Sequence, residues 1–220
     1  MGRLTLIDRK PLQLVVCLLL AFFVYGMGTY LILNPQTRPE ALRMTPLALL
    51  LTVSVLFFFA GSRYTRNMVG SFALIALIGF LVELIGVQTG WVFGRYQYTS
   101  HFGVRWWGTP PLIGINWLFL TYAWAAVARN SGNAPKYRML LAAAGMLAYD
   151  LLLEQAAPLM QLWHWEGRHI PLSNYLAWFG LALFFQWILH FNRIDTRNSL
   201  ALPLLLLQIA MYVCIILFIQ

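Results

Sequence analysis

Glu83, Asp150 and Glu154 are carboxylates set inside runs that otherwise read as lipid-spanning helices. An ionisable side chain at bilayer depth costs at least roughly 2.5–3.5 kcal/mol on insertion scales. The chain carries seven acidic residues, and three of them are placed in these apolar runs. Such groups are tolerated where they pair, line a wet cavity or take part in a reaction. Loss of water disfavours the charged form, so a buried acid can hold a proton, and two in proximity titrate apart into one donor and one acceptor. That is the equipment for protonating a substrate and activating water beside it. For any one of the three, the alternative is a structural role, such as an ion pair with Arg95, Arg105 or Arg168.

Spacing brings the three together. At a rise of about 1.5 Å per residue, Asp150 lies roughly 18 Å beyond Arg138 and Glu83 roughly 22 Å beyond Met68. Glu154 follows Asp150 by one turn on the same helix face. All three therefore fall in the outer half of the bilayer, beneath two aromatic connections, residues 89–109 and 161–175. Trp and Tyr favour the membrane interface. Gly90, Gly94, Gly103 and Gly108 imply tight turns in the first of these connections, hence a built roof over one end of the bundle.

The elements that must position these residues are membrane helices. Residues are 60% hydrophobic and 10% charged, too few charges to cover a soluble surface. Seven spans are predicted, at 12–33, 46–62, 68–88, 110–128, 138–160, 171–191 and 199–219, in an all-α polytopic bundle. The second is short and the fourth contains Asn116. Connections are short, so a single integral membrane domain, 1–220, accounts for the chain. Ten of the 15 basic residues fall on the side of the N-terminus, among them Arg3, Arg63, Arg129 and Arg138. By the positive-inside rule this places the N-terminus in the cytoplasm. The net charge of +8 is then topology and attraction to anionic lipid, with no call for nucleic acid. The first segment reads as an anchor, its apolar run being too long for a cleaved signal.

Other polar residues carry less. Asn116 and Asn174, near outer helix ends, could bind water, substrate or a helix terminus. Tyr149 reads as packing, and Cys17 and Cys214 as small buried apolar side chains. The four histidines form no close helical pair, so no metal site is expected. The only lysines, Lys10 and Lys136, lie outside the middle of any span, which excludes a retinal Schiff base. The Gly86-x-x-x-Gly90 spacing could allow a close helix contact. Neither a phosphate loop nor a dinucleotide fingerprint is present.

The stretch Glu83-Leu-Ile-Gly-Val-Gln-Thr-Gly90-Trp-Val-Phe-Gly94-Arg-Tyr96-Gln-Tyr98 resembles a hallmark of the integral-membrane carotenoid 1,2-hydratases. These are the bisanhydrobacterioruberin hydratase-like carotenoid biosynthesis proteins. Gly108-Thr-Pro-Pro-Leu-Ile-Gly-Ile-Asn-Trp117, Tyr149-Asp150-Leu-Leu-Leu-Glu154, Trp163-His-Trp165 and Pro171-Leu-Ser-Asn174-Tyr-Leu-Ala-Trp178 continue the likeness in order. It covers roughly residues 80–180. Two departures stand out: the family tends to carry Asp-Pro where this chain has Glu154-Gln155, and an apolar residue where it has Asn116.

The resemblance implies a hydro-lyase without a redox cofactor, adding water to the terminal double bond of an acyclic ψ-end carotenoid. Asp150 and Glu83 would serve as acid and base, in either order, with Glu154 tuning them. Arg95, Tyr96, Tyr98, Asn116, Trp117, Trp165, Asn174 and Trp178 are the candidates for holding the substrate. Expected partners are the carotenoid, membrane lipid and other enzymes of its pathway, in a prokaryotic inner membrane. The competing readings are a lycopene-type cyclase or isomerase, and a carotenoid or lipid carrier that leaves its cargo unchanged.

Overall fold

The computed structural model describes residues 9–60, 64–167 and 169–219, residues 9 and 10 by backbone alone. Arg3, Arg63 and Arg168 lie outside the described residues, as do the side chains of Arg9 and Lys10. In chain order the elements are α1 (Arg9–Leu33), α2 (Arg38–Arg43), α3 (Thr45–Phe58), α4 (Arg66–Thr89), β1 (Tyr96–Tyr98), α5 (Leu112–Arg129), α6 (Pro135–Leu159), β2 (Trp163–Trp165), α7 (Leu172–Phe191) and α8 (Ala201–Phe218). A 3-10 turn, Ser100–Phe102, lies between β1 and α5.

Local chemistry sets the helix ends. Proline occupies the first turn of α2, α3 and α6, where its missing N–H would have no helical partner. Thr65 caps α4, its hydroxyl accepting from the Met68 N–H at 3.2 Å. Gly90 ends α4 with φ 71°, the left-handed conformation that a residue lacking Cβ adopts freely.

Each of the seven expected spans contains a helix, and six of these helices are long and apolar enough to cross a membrane. The exception is α3, which replaces the expected span 46–62. Its 14 residues rise about 21 Å, short of a hydrocarbon core of roughly 30 Å. The preceding turn folds separately as the six-residue α2. The chain is thus an all-α polytopic membrane bundle carrying one two-stranded sheet.

At the centre stands α5, packed on α3, α4, α6, α7 and α8. Of its apolar window 72% is buried within the bundle, against 11% for α1. α5 therefore meets protein on most sides.

Lipid tails are as apolar as leucine, so helices associate through close packing. Glycine makes room for that packing. A Cβ on Gly114 of α5 would stand 2.2 Å from the Ala76 carbonyl oxygen of α4, and one on Gly145 of α6 would stand 2.3 Å from the Trp124 ring of α5. Gly86, by contrast, makes room for a connection: its Cβ would stand 2.6 Å from the Phe93 ring. The Gly86-x-x-x-Gly90 spacing therefore serves the turn after α4, and no helix–helix contact.

Gly114→Ala is expected to destabilise the protein by roughly 1–3 kcal/mol through overpacking, whereas Gly26→Ala, with nothing within 4 Å, should be neutral or stabilising. Thermal unfolding of the two variants in one detergent checks the contrast.

Candidate active site

The two aromatic connections form one structure. β1 pairs antiparallel with β2, setting Tyr96 opposite Trp165, Gln97 opposite His164 and Tyr98 opposite Trp163. Side chains alternate across a strand. Tyr96, Tyr98, Trp163 and Trp165 therefore share the face turned toward the helices, while Gln97 and His164 face outward. On that inner face Tyr96 packs on Trp165 with ring centroids 5.1 Å apart, and Tyr98 packs on Trp163 at 5.7 Å.

Beneath the sheet, each glutamate is held by neutral donors. Glu83 of α4 accepts at Oε2 from the Tyr96 hydroxyl and, at 2.9 Å, from the Tyr98 hydroxyl. Its Oε1 accepts from the Trp117 indole of α5 at 3.0 Å. Glu154 of α6 accepts at Oε2 from the indoles of Trp165 at 2.8 Å and Trp163 at 3.2 Å. Asn174 of α7 donates from one amide nitrogen to Glu154 Oε1 at 3.4 Å and to Asp150 Oδ2 at 3.3 Å. The other Asp150 oxygen is buried with no hydrogen-bond partner among the described residues. The three carboxylates, Asn174, Trp117 and Trp178 are all buried, and Trp178 stacks on Trp117 at 4.0 Å.

No cation balances these acids among the described residues, whose ion pairs join Arg43 to Glu40 and Arg129 and Arg197 to Asp195. Arg105 turns instead to the backbone, donating to the Tyr98 carbonyl at 2.6 Å. Arg95 does not join the cluster: it is exposed, and its side chain packs back toward Gly90. Among the described residues, no group of three or more His, Cys, Asp or Glu side chains is arranged to hold one metal ion.

Two cavities lie in this region. The smaller, about 20 Å³, is lined by Glu83, Glu154, Tyr96, Tyr98, Trp163, Trp165, Asn174, Trp178, Phe93 and Ile113. One water needs at least about 10–15 Å³ on this measure. The cavity is thus water-sized and polar on several sides. The larger, about 310 Å³, is an apolar chamber between α1, α2, α3, α5, α6 and α8. Asn116 lines this chamber and makes no side-chain hydrogen bond with the described residues, so it caps no helix end. Phe102 lines the chamber and stacks on Tyr98 at 5.7 Å; Leu153 and Leu162 line it next in sequence to Glu154 and Trp163. Phe102 against Tyr98 is thus a direct side-chain contact between the two linings.

A second polar network crosses the chamber wall. Gln208 donates to the Tyr25 hydroxyl at 2.9 Å and accepts from Tyr149 at 2.7 Å, and Tyr25 pairs with Thr52 at 2.7 Å. Tyr149 also reaches Tyr212 at 3.2 Å, so it does more than pack. Sequence reasoning left out Trp163, Phe102 and this network. The Tyr-x-Tyr and Trp-x-Trp alternation was the available signal for the paired strands; nothing local marks Tyr25, Thr52 or Gln208 as neighbours.

Burial, and next the adjacent Glu83 charge, push the phenols of Tyr96 and Tyr98 well above the usual value of 10.0. Both stay protonated donors through the neutral range. A group whose folded value is raised adds stability below its unfolded value, and that stability is lost as pH climbs through the folded value. The wild-type protein should therefore lose stability above about pH 10, and more steeply than Tyr96→Phe/Tyr98→Phe. Thermal unfolding measured against pH checks it.

Comparison with known proteins bears on the family of the chain. Residues 44–220 match the family described as carotenoid biosynthesis protein. A curated relative, the bisanhydrobacterioruberin hydratase of Haloarcula japonica, is 28% identical over 141 residues, covering 58% of this chain and 48% of that protein. The chain thus matches about half the length of that relative. No solved structure matches it.

Proposed function

This chain belongs to the carotenoid biosynthesis protein family, and from that premise we propose that it hydrates the terminal C1–C2 double bond of an acyclic ψ-end carotenoid. The observation that carries the reading is a water-sized cavity lined by two carboxylates beside an apolar chamber. The chamber's volume of about 310 Å³ lies within the range of small-molecule pockets. Its apolar lining suits a polyene end. Side-chain reorientation of Phe102 and Leu153 would join the two spaces and bring the isopropylidene end to the acids.

Three carboxylates buried together with no cation paired to them among the described residues cannot all be charged. Donor placement separates their roles. Each glutamate accepts three hydrogen bonds, but none of those to Glu83 is longer than 3.0 Å, which makes it the better-solvated anion and suits the base. Glu154 lies across the cavity, its Oε1 bonded among the described residues by Asn174 alone, at 3.4 Å, which suits the acid. Sequence reasoning paired Asp150 with Glu83 as acid and base in either order, with Glu154 tuning them; in this arrangement Asp150, which lines neither cavity, acts through Asn174 to tune Glu154.

The step balances simply. The Glu154 proton is transferred to C2 as the double bond opens, leaving a tertiary cation at C1. The faces of Trp163, Trp165 and Trp178 can stabilise that cation. Water attacks C1 and gives its proton to Glu83, and the proton returns across the cavity to Glu154. A cyclase would need to exclude water at this stage, and the polar cavity beside the acids argues against it.

Expression in a bacterial host making a ψ-end carotenoid, with pigments resolved by chromatography and mass spectrometry, tests the reading. Wild-type protein should yield a product heavier by one water. Glu83→Gln and Glu154→Gln should each lower the yield roughly 10²–10⁴-fold. Unchanged pigment with folded protein would contradict the hydratase for that substrate, and altered retention at unchanged mass would point to cyclisation or isomerisation. Gly28 lines the chamber with open space above it, so Gly28→Phe should fold normally and lose conversion by occlusion.

A further inference from the structure

At the opposite end of the bundle from the sheet, a third cavity of about 150 Å³ opens between α5, α6 and α7. It is lined by Arg129 of α5, Arg138 of α6 and His190 of α7, so three nitrogen-bearing side chains converge from three helices. The start of α6 borders the same space through Pro135. Its cap residue, Ala134, offers no side-chain acceptor, and its first turn holds no acidic residue, so the positive end of the helix dipole faces the cavity unscreened.

The cavity also holds a buried group that lacks a partner. Thr196 is 8% exposed and lines the cavity, and its hydroxyl makes no hydrogen bond with the described residues. Gln186 beside it is fixed, donating to the Thr121 carbonyl at 2.9 Å. Among the described residues, the carboxylate beside this lining is Asp195, and it is shared. Arg129 approaches it at 3.3 Å, whereas Arg197 binds it through Nε at 2.9 Å and Nη2 at 2.7 Å. Arg138 spends its Nε on the Asn133 carbonyl, leaving its two terminal nitrogens for another acceptor. Positive charge therefore exceeds negative around a space with an unused hydroxyl.

We propose that this cavity binds a phosphate group, as carried by an anionic phospholipid headgroup or by a free phosphate ligand. Arg129 and Arg138 supply charge-assisted hydrogen bonds, Thr196 a neutral one, and the α6 terminus orients the anion. Basic pockets between membrane helices on the cytoplasmic side hold lipid phosphates in this way. The charge distribution of the chain puts this end on that side. The site is independent of the proposed hydratase chemistry, which lies at the other end of the bundle.

Thermal unfolding of the purified full chain in neutral detergent tests it, with three probes: short-chain phosphatidylglycerol, phosphatidylcholine with the same tails, and inorganic phosphate. Phosphatidylglycerol at about a hundred times its dissociation constant should raise Tm by roughly 5–10 °C. High salt should erase the rise. Arg129→Gln and Arg138→Gln should erase it too, and Thr196→Val should reduce it. A rise with phosphatidylglycerol alone assigns the phosphate to lipid; an equal rise with inorganic phosphate assigns it to a free ligand. Equal effects of the two lipids in wild-type protein, no rise with any probe, or a rise unchanged by the arginine variants would overturn the proposal. Should a glutamine variant fail to fold, the salt dependence and lipid selectivity of the wild-type protein still decide.

Discussion

A carboxylate taken out of water must recover its lost hydration from the protein, and here neutral donors supply it. Two phenols and an indole surround Glu83, and two indoles and an amide surround Glu154. An arginine in their place would have fixed the charge of each acid through an ion pair. Neutral donors leave protonation free to change, as acid–base chemistry requires. Most of the architecture around the site follows from the need to aim six such donors at two side chains on different helices.

The aromatic sheet is the device that aims four of them. With β1 paired to β2, alternation turns Tyr96, Tyr98, Trp163 and Trp165 inward together. Gly94, with φ 104°, lets the chain pass against Pro171 at the start of α7, where a Cβ would come within 2.5 Å. The remaining donors come from the bundle: Trp117 from α5, the most enclosed helix, and Asn174 from the first turn of α7. Neither sheet nor bundle completes the site alone. The roof also screens the acids from solvent, strengthening every hydrogen bond beneath it.

Much of this was legible in the sequence, for identifiable reasons. Charge in an apolar run is conspicuous, so Glu83, Asp150 and Glu154 could be named from cost alone. The one-turn offset of Asp150 and Glu154 correctly set them on one face, where Asn174 touches both. The strands were hidden because their pairing is non-local and each is three residues long. The chamber was hidden because it is a space between helices distant in sequence, including α1 and α8. Arg95 shows the opposite failure: a charged residue between conspicuous aromatics draws attention, yet strand alternation and the turn at Gly90 carry it outward. The exchange of Glu154 for Asp150 at the small cavity likewise depends on side-chain direction, which spacing along one helix does not provide.

In the proposed hydration, water enters the product through the buried glutamates. Labelling reads that event directly. Purified protein is supplied with a ψ-end carotenoid in water enriched in oxygen-18, and separately in deuterium oxide, and the product is analysed by mass spectrometry with fragmentation. The proposed hydration predicts one heavy oxygen at C1 in the first case, and one deuterium on carbon at C2 in the second. Oxygen drawn from dissolved dioxygen, or a product with neither label, would contradict it.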